Sequence, residues 1–147
     1  MLNYRKGSHT LFDLKYHVVW CTKYRKPILN QRRGIRVREL IREICVSNNV
    51  QILKGHISKD HIHIFVSIPP QISISRFTQL VKGKTARKLL QEDKTLSKTN
   101  WGNHIWARGY FVSTSGTVTD EAVMEYIKNQ DDDEEKRGDS FTILTTD

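Results

Sequence analysis

Two apolar strands separated by only three polar residues constrain the fold of this chain more than any other feature. Residues 50–57 and 61–68 each have the length and composition of a β-strand, residues 58–60 form a polar turn, and a proline pair at 69–70 ends the second strand. Strands joined this tightly are antiparallel neighbours, because a parallel pair needs a crossover of a dozen or more residues. The sequence therefore predicts a β-hairpin near the middle of the chain.

Helical and strand patterns flank this hairpin in a regular order. Alternating apolar residues predict strands, and apolar residues at helical spacing predict helices. In chain order the predicted elements cover residues 11–22 (strand), 32–47 (helix), 50–57 and 61–68 (the hairpin), 74–91 (helix), 110–114 (strand) and 119–130 (helix). The first six match a split βαβ arrangement. We therefore predict an α+β fold, a ferredoxin-like βαββαβ sandwich with an antiparallel sheet plus a C-terminal helix.

The charge distribution divides the chain into a basic body and an acidic tail. The net charge is +8, but residues 131–147 contain seven acidic side chains against two basic ones, so residues 1–130 carry a net charge of +13. A body this basic favours a polyanionic partner such as nucleic acid, and solvated surface charge is the alternative. We predict a single domain over residues 1–130 and a flexible acidic tail over 131–147.

The remaining composition favours a cytoplasmic protein with no membrane partner. No apolar run approaches the roughly 18 residues that a membrane span requires, and the N-terminus has no signal-peptide pattern. Cys21 and Cys45 lie far apart, without zinc-type spacing, which favours buried free thiols in a reducing compartment.

Two histidines lie two residues apart on the second hairpin strand. The side chains of His61 and His63 therefore project from one face, while Ile62 and Ile64 project from the core face. Two adjacent imidazoles can chelate one divalent metal. A pair of this kind on a strand is also common as a structural accident, so the pattern alone leaves both interpretations open.

A tyrosine and an amide share one face of the last predicted helix. Tyr126 and Gln130 are four residues apart, so they stack on the same side. They can supply a nucleophile and a third metal ligand to one site; alternatively Tyr126 packs and Gln130 caps the helix. A phosphotyrosine keeps the energy of the broken phosphodiester, which favours strand transfer over hydrolysis.

Five ordered blocks of this sequence resemble the single-tyrosine HUH transposases of insertion-sequence-200-like elements. The resemblance covers about residues 11–130, and both the HxH and the YxxxQ patterns are intact. The blocks are KYHVVWCTKYRKPIL (15–29), KDHIHIFVSIPP (59–70), LVKGKTARKL (80–89), WGNHIWARGYFVST (101–114) and VMEYIKNQ (123–130).

The resemblance implies a role for each motif residue. His61 and His63 are implied to bind a Mg²⁺ or Mn²⁺ ion with Gln130 as third ligand, and Tyr126 is implied to become linked to the 5′ end of cut DNA. It also implies a homodimer with possible exchange of the tyrosine helix, and single-stranded DNA with hairpins as the partner. A domesticated relative that processes repetitive palindromic hairpins, and a catalytically idle nucleic-acid-binding module, are the alternatives.

Two basic clusters are candidates for contacts with DNA phosphates, which give affinity without reading sequence. Solvated surface charge is the alternative for each. The residues are Lys23, Arg25 and Lys26 after the first strand, and Lys82, Lys84, Arg87 and Lys88 on the second long helix. Trp101, His104 and Trp106 are weaker candidates for base stacking, because such a loop more often packs against its domain. We assign His17 and His56 structural roles only.

Overall fold

The computed structural model describes residues 4–98 and 104–114, and the backbone of residues 139–143. A two-stranded hairpin pairs β1 (Arg5–Lys6) with β2 (Leu11–Phe12). The main element is a five-stranded antiparallel sheet that contains β3 (Lys15–Cys21), β4 (Gln51–Ile57), β5 (His61–Ser67), β6 (Phe111–Thr114) and β7 (Asp139–Ile143). Their order across the sheet is β6-β3-β5-β4-β7, which puts β5 at the centre.

The connections between these strands confirm the predicted ferredoxin-like arrangement. Helix α1 (Gln31–Ser47) links β3 to β4, and α2 (Ile74–Glu92) with the short α3 (Lys94–Ser97) links β5 to β6. The first four strands of the sheet therefore follow the chain as βαββαβ, and the predicted hairpin is the antiparallel pair β4–β5. The predicted C-terminal helix over 119–130 lies outside the described residues.

Side-chain caps set where the two long helices begin. Asn30 accepts a hydrogen bond from the backbone N–H of Arg33, and Ser73 accepts one from the backbone N–H of Arg76. Each cap satisfies one of the N–H groups that the first helical turn leaves without a partner. Helix α1 ends before Asn49, whose φ of 56° is left-handed and stops the helix. The predicted helices 32–47 and 74–91 are confirmed to within one residue at each end.

The core lies between the sheet and the two long helices. Val18, Ile62 and Ile64 on the strands pack with Val37 and Phe77 on the helices, and all five are fully buried. The opposite face of the sheet carries four histidines, His17, His56, His61 and His63, and we call it the histidine face. The two cysteines are buried free thiols, as the sequence predicts.

The predicted strand over 11–22 is wrong at its N-terminal end. Residues 11–12 pair with Arg5–Lys6 instead of continuing into β3. Arg5 holds this small hairpin against the end of β5: its guanidinium lies 5.1 Å from the Phe12 ring centroid and donates hydrogen bonds to the carbonyl and hydroxyl oxygens of Ser67. An alternating pattern does not show whether a strand is continuous, so the break has no signal in the sequence.

Part of the acidic tail differs from the flexible segment expected over 131–147. Residues Asp139–Ile143 form β7, which pairs antiparallel with the outer edge of β4, Phe141 lying opposite Gly55. These five residues include aromatic and β-branched types, which favour strands. Among the described residues, no helix is long and apolar enough to cross a membrane.

Candidate metal and nucleic-acid site

The histidine face brings four imidazoles together on three neighbouring strands. His61 and His63 lie on the central strand β5, with Ile62 and Ile64 buried on the core face between and beyond them, as the sequence predicts. His56 lies directly opposite His63 on β4, and its ring centroid is 6.5 Å from that of His61. His17 lies on β3, on the other side of β5.

The carboxylate of Asp60 determines which nitrogen of His61 is available. Nδ1 of His61 lies 2.9 Å from Oδ1 of Asp60, and both side chains are largely buried. An ionised carboxylate only accepts hydrogen bonds, so Nδ1 carries the proton. In the neutral ring the lone pair is then on Nε2, which is the form that binds a metal, and the carboxylate fixes the orientation of the ring.

His63 is held by His17, a residue for which the sequence indicated a structural role only. Nδ1 of His17 lies 3.1 Å from Nε2 of His63, so one of these nitrogens donates to the other. The His17 ring is also stacked on Phe65, with ring centroids 4.4 Å apart. A metal ion bound at Nε2 of His63 has to replace the hydrogen bond to His17. The alternation along β3 indicated that His17 lies on the face opposite Val18, and the ferredoxin-like strand order places β3 beside β5, but the register that brings His17 to His63 had no signal in the sequence.

A buried hydroxyl beside His61 supports a polar ligand at this end of the histidine face. The backbone N–H of Ser58 donates to the carbonyl oxygen of His61, which places both side chains on the same face. Ser58 is 2% exposed, and its Oγ has no hydrogen-bond partner within the described part of the chain. Ions such as Mg²⁺ usually keep several water molecules, which can bond to such a hydroxyl. The donor set therefore fits a hydrated divalent ion.

The described residues supply only part of a metal site. Within residues 4–98 and 104–114, no group of three or more histidine, cysteine, aspartate or glutamate side chains is arranged to hold a metal ion. The two predicted partners of the histidines, Tyr126 and Gln130, lie outside the described residues. Their roles as nucleophile and third ligand therefore stay predictions.

The first basic cluster lies at the end of β3 that is next to His61. Cys21, the last residue of β3, is the cross-strand partner of His61. Lys23, Arg25 and Lys26 follow it in a single tight turn, in which Lys26 is exposed and the other two are partly exposed. Burial, with a further contribution from nearby Asp60, raises the pKa of the Cys21 thiol to about 11, so this thiol is protonated at neutral pH. The structure thus brings this cluster close to the histidine face.

The second basic cluster lies on α2, on the opposite side of the sheet from the histidines. The ammonium group of Lys82 donates hydrogen bonds to the carbonyl oxygens of Ala107 (2.9 Å) and Gly109 (2.8 Å), and burial lowers its pKa. Lys82 therefore ties α2 to the segment before β6. Lys84 lies 3.6 Å from a carboxylate oxygen of Glu43 on α1. Arg87 is exposed and Lys88 is partly exposed.

A groove of about 830 Å³ runs between α2 and residues 104–110. Arg87, Arg108 and His104 contribute basic groups to its wall, and Tyr110 contributes an aromatic ring. Trp106 is buried and donates a hydrogen bond from Nε1 to the hydroxyl of Thr85. It therefore packs against α2, which agrees with the prediction that this loop packs against the domain and not with base stacking. Trp101 lies outside the described residues.

Comparison with known proteins identifies the family. The sequence profile described as IS200-like transposase matches residues 10–130 of this chain. The chain belongs to the IS200-like transposase family. It is 35% identical over 136 residues to the transposase for insertion sequence element IS200 of Salmonella typhimurium, covering 92% of this chain and 88% of that protein. It is 29% identical over 133 residues to the ISDra2 transposase TnpA of Deinococcus radiodurans, covering 90% of this chain and 95% of that protein.

Solved structures confirm the fold of this IS200-like transposase. A protein from Deinococcus radiodurans R1 that was assigned as a transposase superposes with a TM-score of 0.78 at 28% sequence identity, covering 86% of this chain and 97% of that one. A REP-associated tyrosine transposase bound to a REP hairpin superposes with a TM-score of 0.56 at 12% identity, covering 87% and 69% of the two chains. At that identity the second likeness supports the fold alone.

Proposed function

We propose that this transposase cleaves and rejoins single-stranded DNA at hairpin-bearing element ends through a 5′-phosphotyrosine intermediate, with a divalent metal bound at the histidine face. The observation that carries the proposal is the arrangement of β5. His61 and His63 share one face of the central strand, and Asp60 holds His61 in the tautomer that a metal ion requires. We place the reaction in the cytoplasm.

His61, His63 and Gln130 are the proposed ligands of a Mg²⁺ or Mn²⁺ ion. When bound, such an ion supplies several kcal/mol by polarising the phosphate under attack. That contribution matters because the ordinary phenol pKa of about 10 leaves only roughly 0.1% ionised at pH 7. Asp60 orients His61, His17 holds His63 until an ion replaces that hydrogen bond, and Ser58 provides a hydroxyl on the same face.

Tyr126 is the proposed nucleophile. Its Oη attacks the scissile phosphorus, the phenolic proton is released, and the bond between phosphorus and the 3′ oxygen breaks. That oxygen takes up a proton and leaves as a free 3′-hydroxyl, while the 5′ end stays attached to the tyrosine. A second 3′-hydroxyl then attacks the phosphotyrosine, a new phosphodiester forms, and the phenol regains a proton. The number of phosphodiester bonds is conserved, so no nucleotide cofactor is required.

The proposed partners and the two alternative functions each have a distinct experimental signature. The proposed partners are single-stranded DNA with hairpins and a second copy of the chain, with possible exchange of the tyrosine helix. A domesticated relative uses the same chemistry, and inverted hairpins flanking the gene would identify a mobile element instead. A catalytically idle module would bind DNA and form no covalent adduct.

Adduct formation tests the proposed chemistry directly. A single-stranded oligonucleotide that contains the DNA flanking the gene should give, with Mn²⁺, a protein–DNA adduct that survives denaturing electrophoresis. Tyr126→Phe should abolish the adduct because the phenol oxygen is removed. Tyr4→Phe is the matched control, since Tyr4 is exposed near the N-terminus and should leave the adduct unchanged.

The histidines and the metal are tested in the same assay. His63→Ala and excess EDTA should each abolish the adduct while hairpin binding, measured by fluorescence anisotropy, is retained. Efficient cleavage by Tyr126→Phe would contradict the assigned nucleophile. Undiminished cleavage in EDTA would rule out the metal.

A further inference from the structure

The turn that follows β3 has a strained backbone at two consecutive residues. Tyr24 and Arg25 have φ values of 57° and 53°, in the left-handed region that side chains other than glycine rarely adopt. Such a conformation persists only where the surrounding structure holds it, and it is concentrated at functional positions.

Hydrogen bonds to backbone carbonyl groups hold this turn in place. The N–H of Lys23 donates to the carbonyl of Ile105 (2.8 Å), and the N–H of Arg25 donates to the carbonyl of Thr22 (2.9 Å). The N–H of Lys26 donates to the carbonyl of Lys23 (3.3 Å), and the hydroxyl of Thr22 donates to the carbonyl of Lys26 (2.8 Å). The backbone of the turn is therefore an ordered part of the domain.

The strained turn presents an aromatic ring to solvent among cations. Tyr24 is 74% exposed, the largest exposed fraction among the exposed large hydrophobic side chains of the described residues. The ammonium of Lys23 lies 5.3 Å from the centroid of its ring, and Lys26 is exposed on the same turn. Exposed aromatic rings that alternate with cations are the elements of surfaces that bind single-stranded nucleic acid, where bases stack on the rings and the cations contact phosphates.

The turn is coupled to the histidine face through Thr22. Its backbone N–H and its hydroxyl both lie within hydrogen-bond distance of the carbonyl oxygen of Asp60, at 2.9 and 3.3 Å, and the carboxylate of Asp60 binds His61. Cys21 is opposite His61, and three residues of extended chain span at most about 11 Å, so Tyr24 begins within about 16 Å of His61 along the backbone. A strand that leaves His61 in the direction of this turn would reach Tyr24 within a few nucleotides.

We propose that Tyr24 stacks on an unpaired base of the DNA strand that leads to the histidine face, and that Lys23 and Lys26 contact the phosphates on either side of it. The base occupies the face of the ring opposite the Lys23 ammonium. The inference rests on the proposed function only for its class of ligand, single-stranded DNA. It adds a base-stacking residue to a cluster whose predicted role was phosphate binding alone.

Binding of fluorescein-labelled dT12 to the full chain in EDTA tests this inference independently of cleavage. Tyr24→Ala should weaken binding by about 5- to 150-fold, the range that corresponds to removing one base–aromatic stack. Tyr24→Phe should bind like the wild type, because the ring is retained. Tyr4→Ala removes an exposed tyrosine beside the Ser67 end of β5 and should have no effect.

The salt dependence separates stacking from charge. Tyr24→Ala should leave the slope of log Kd against log salt unchanged, whereas Lys23→Ala with Lys26→Ala should lower it by about 1.4, because each phosphate that is no longer neutralised changes the slope by roughly 0.7. The inference is overturned if Tyr24→Ala binds within about twofold of wild type, if it changes the salt slope, if Tyr24→Phe is equally impaired, or if the wild type does not bind dT12. A protein that binds in this way but forms no adduct would contradict the proposed chemistry and leave the inference standing.

Discussion

Asp60 contacts both the histidine face and the end of β3. Its carboxylate lies 2.9 Å from Nδ1 of His61, and its own carbonyl oxygen accepts the bonds that fix Thr22 at the end of β3. Asp60 therefore orients His61, the proposed metal ligand, and connects it to the first basic cluster. A carboxylate behind a ligating histidine raises the basicity of the ring and fixes its tautomer.

Removing the Asp60 carboxylate should weaken metal binding more than folding. In Asp60→Ala the Mn²⁺ concentration that half-saturates adduct formation should rise about 10- to 100-fold. Residues that hydrogen-bond to the other ring nitrogen of a ligating histidine change metal affinity by about that much. Asp60→Asn should fall between this variant and the wild type, because its side-chain oxygen can still accept from Nδ1. Direct Mn²⁺ titration calorimetry checks the result without relying on catalysis.

The matched control is Asp13→Ala, which removes a carboxylate paired with Lys15 at 2.7 Å and distant from His61 in the β3–β5 register. It should leave the Mn²⁺ requirement unchanged. An equal shift in both aspartate variants would show a general effect of charge, and no shift in Asp60→Ala would remove its proposed role.

The residues of the histidine face differ in how far the sequence could predict them. Two-residue spacing on a strand was enough to place His61 and His63 on one face, because the direction of side chains alternates strictly. The hydrogen bond between Asp60 and His61 depends on the conformation of the turn, and the one between His17 and His63 depends on the register between β3 and β5. Neither is specified by local spacing, so both were found only in the folded structure.

Helix α2 carries one lysine that is bonded to another segment, Lys82, and three basic residues at the surface, Lys84, Arg87 and Lys88. The sequence did not distinguish them. The bounds of this helix were predicted within one residue because Ser73 is a strong cap and its apolar spacing is regular. Its lysines looked equivalent in sequence. The hydrogen bonds of Lys82 to Ala107 and Gly109 depend on a segment 25 and 27 residues away, which helical periodicity does not reveal.

The α2 lysines should therefore respond differently to substitution. Lys82→Ala should lower the free energy of unfolding by about 1–3 kcal/mol, because it removes two hydrogen bonds from a charged donor at a half-buried position. The triple variant Lys84→Ala, Arg87→Ala, Lys88→Ala should leave that free energy within about 1 kcal/mol, because Arg87 is exposed and Lys84 and Lys88 are partly exposed. Urea unfolding measures both.

If the predicted contacts with phosphates exist, the triple variant should affect binding to dT12 more than Lys82→Ala does. The triple variant should lower the salt slope for dT12 by as much as about 2, at roughly 0.7 per phosphate, and Lys82→Ala should lower it least. An unchanged slope in the triple variant would mean that these three residues are solvated surface charge. A stable Lys82→Ala protein with a strongly reduced slope would assign Lys82 to DNA instead of to the fold.

The arrangement of β3, β4, β5 and β6 was predictable because few arrangements satisfy the central hairpin and its helical connections. Two strands joined by three residues must pair, and each helical crossover returns the chain to the same sheet. Strand β7 was not predictable in the same way. It pairs with β4 across more than 80 residues of sequence, and its short apolar pattern does not select a partner.

The residues of the proposed active site come from distant parts of the chain. The described residues provide two proposed ligands on β5, and the proposed nucleophile and third ligand follow β6 in the sequence. Excision of an element needs two cuts that are held together, and one chain carries one proposed nucleophile, Tyr126. A dimer supplies two sites, and twofold symmetry is the commonest arrangement of soluble oligomers. Whether Tyr126 joins the histidines of its own subunit or of its partner decides how those sites are built.

Mixing two inactive variants distinguishes these arrangements. Tyr126→Phe and His63→Ala subunits, carrying different affinity tags, are refolded together so that the mixed dimers can be purified through both tags. If the tyrosine helix is exchanged, each mixed dimer contains one site with intact histidines and an intact tyrosine, and adduct formation should return to a fraction of the wild-type level, with the DNA attached to the His63→Ala subunit. If the sites are built within one subunit, the mixed dimer has no complete site. Purified mixed dimers without adduct would therefore contradict helix exchange, whereas failure to recover any mixed dimers would contradict the dimer itself.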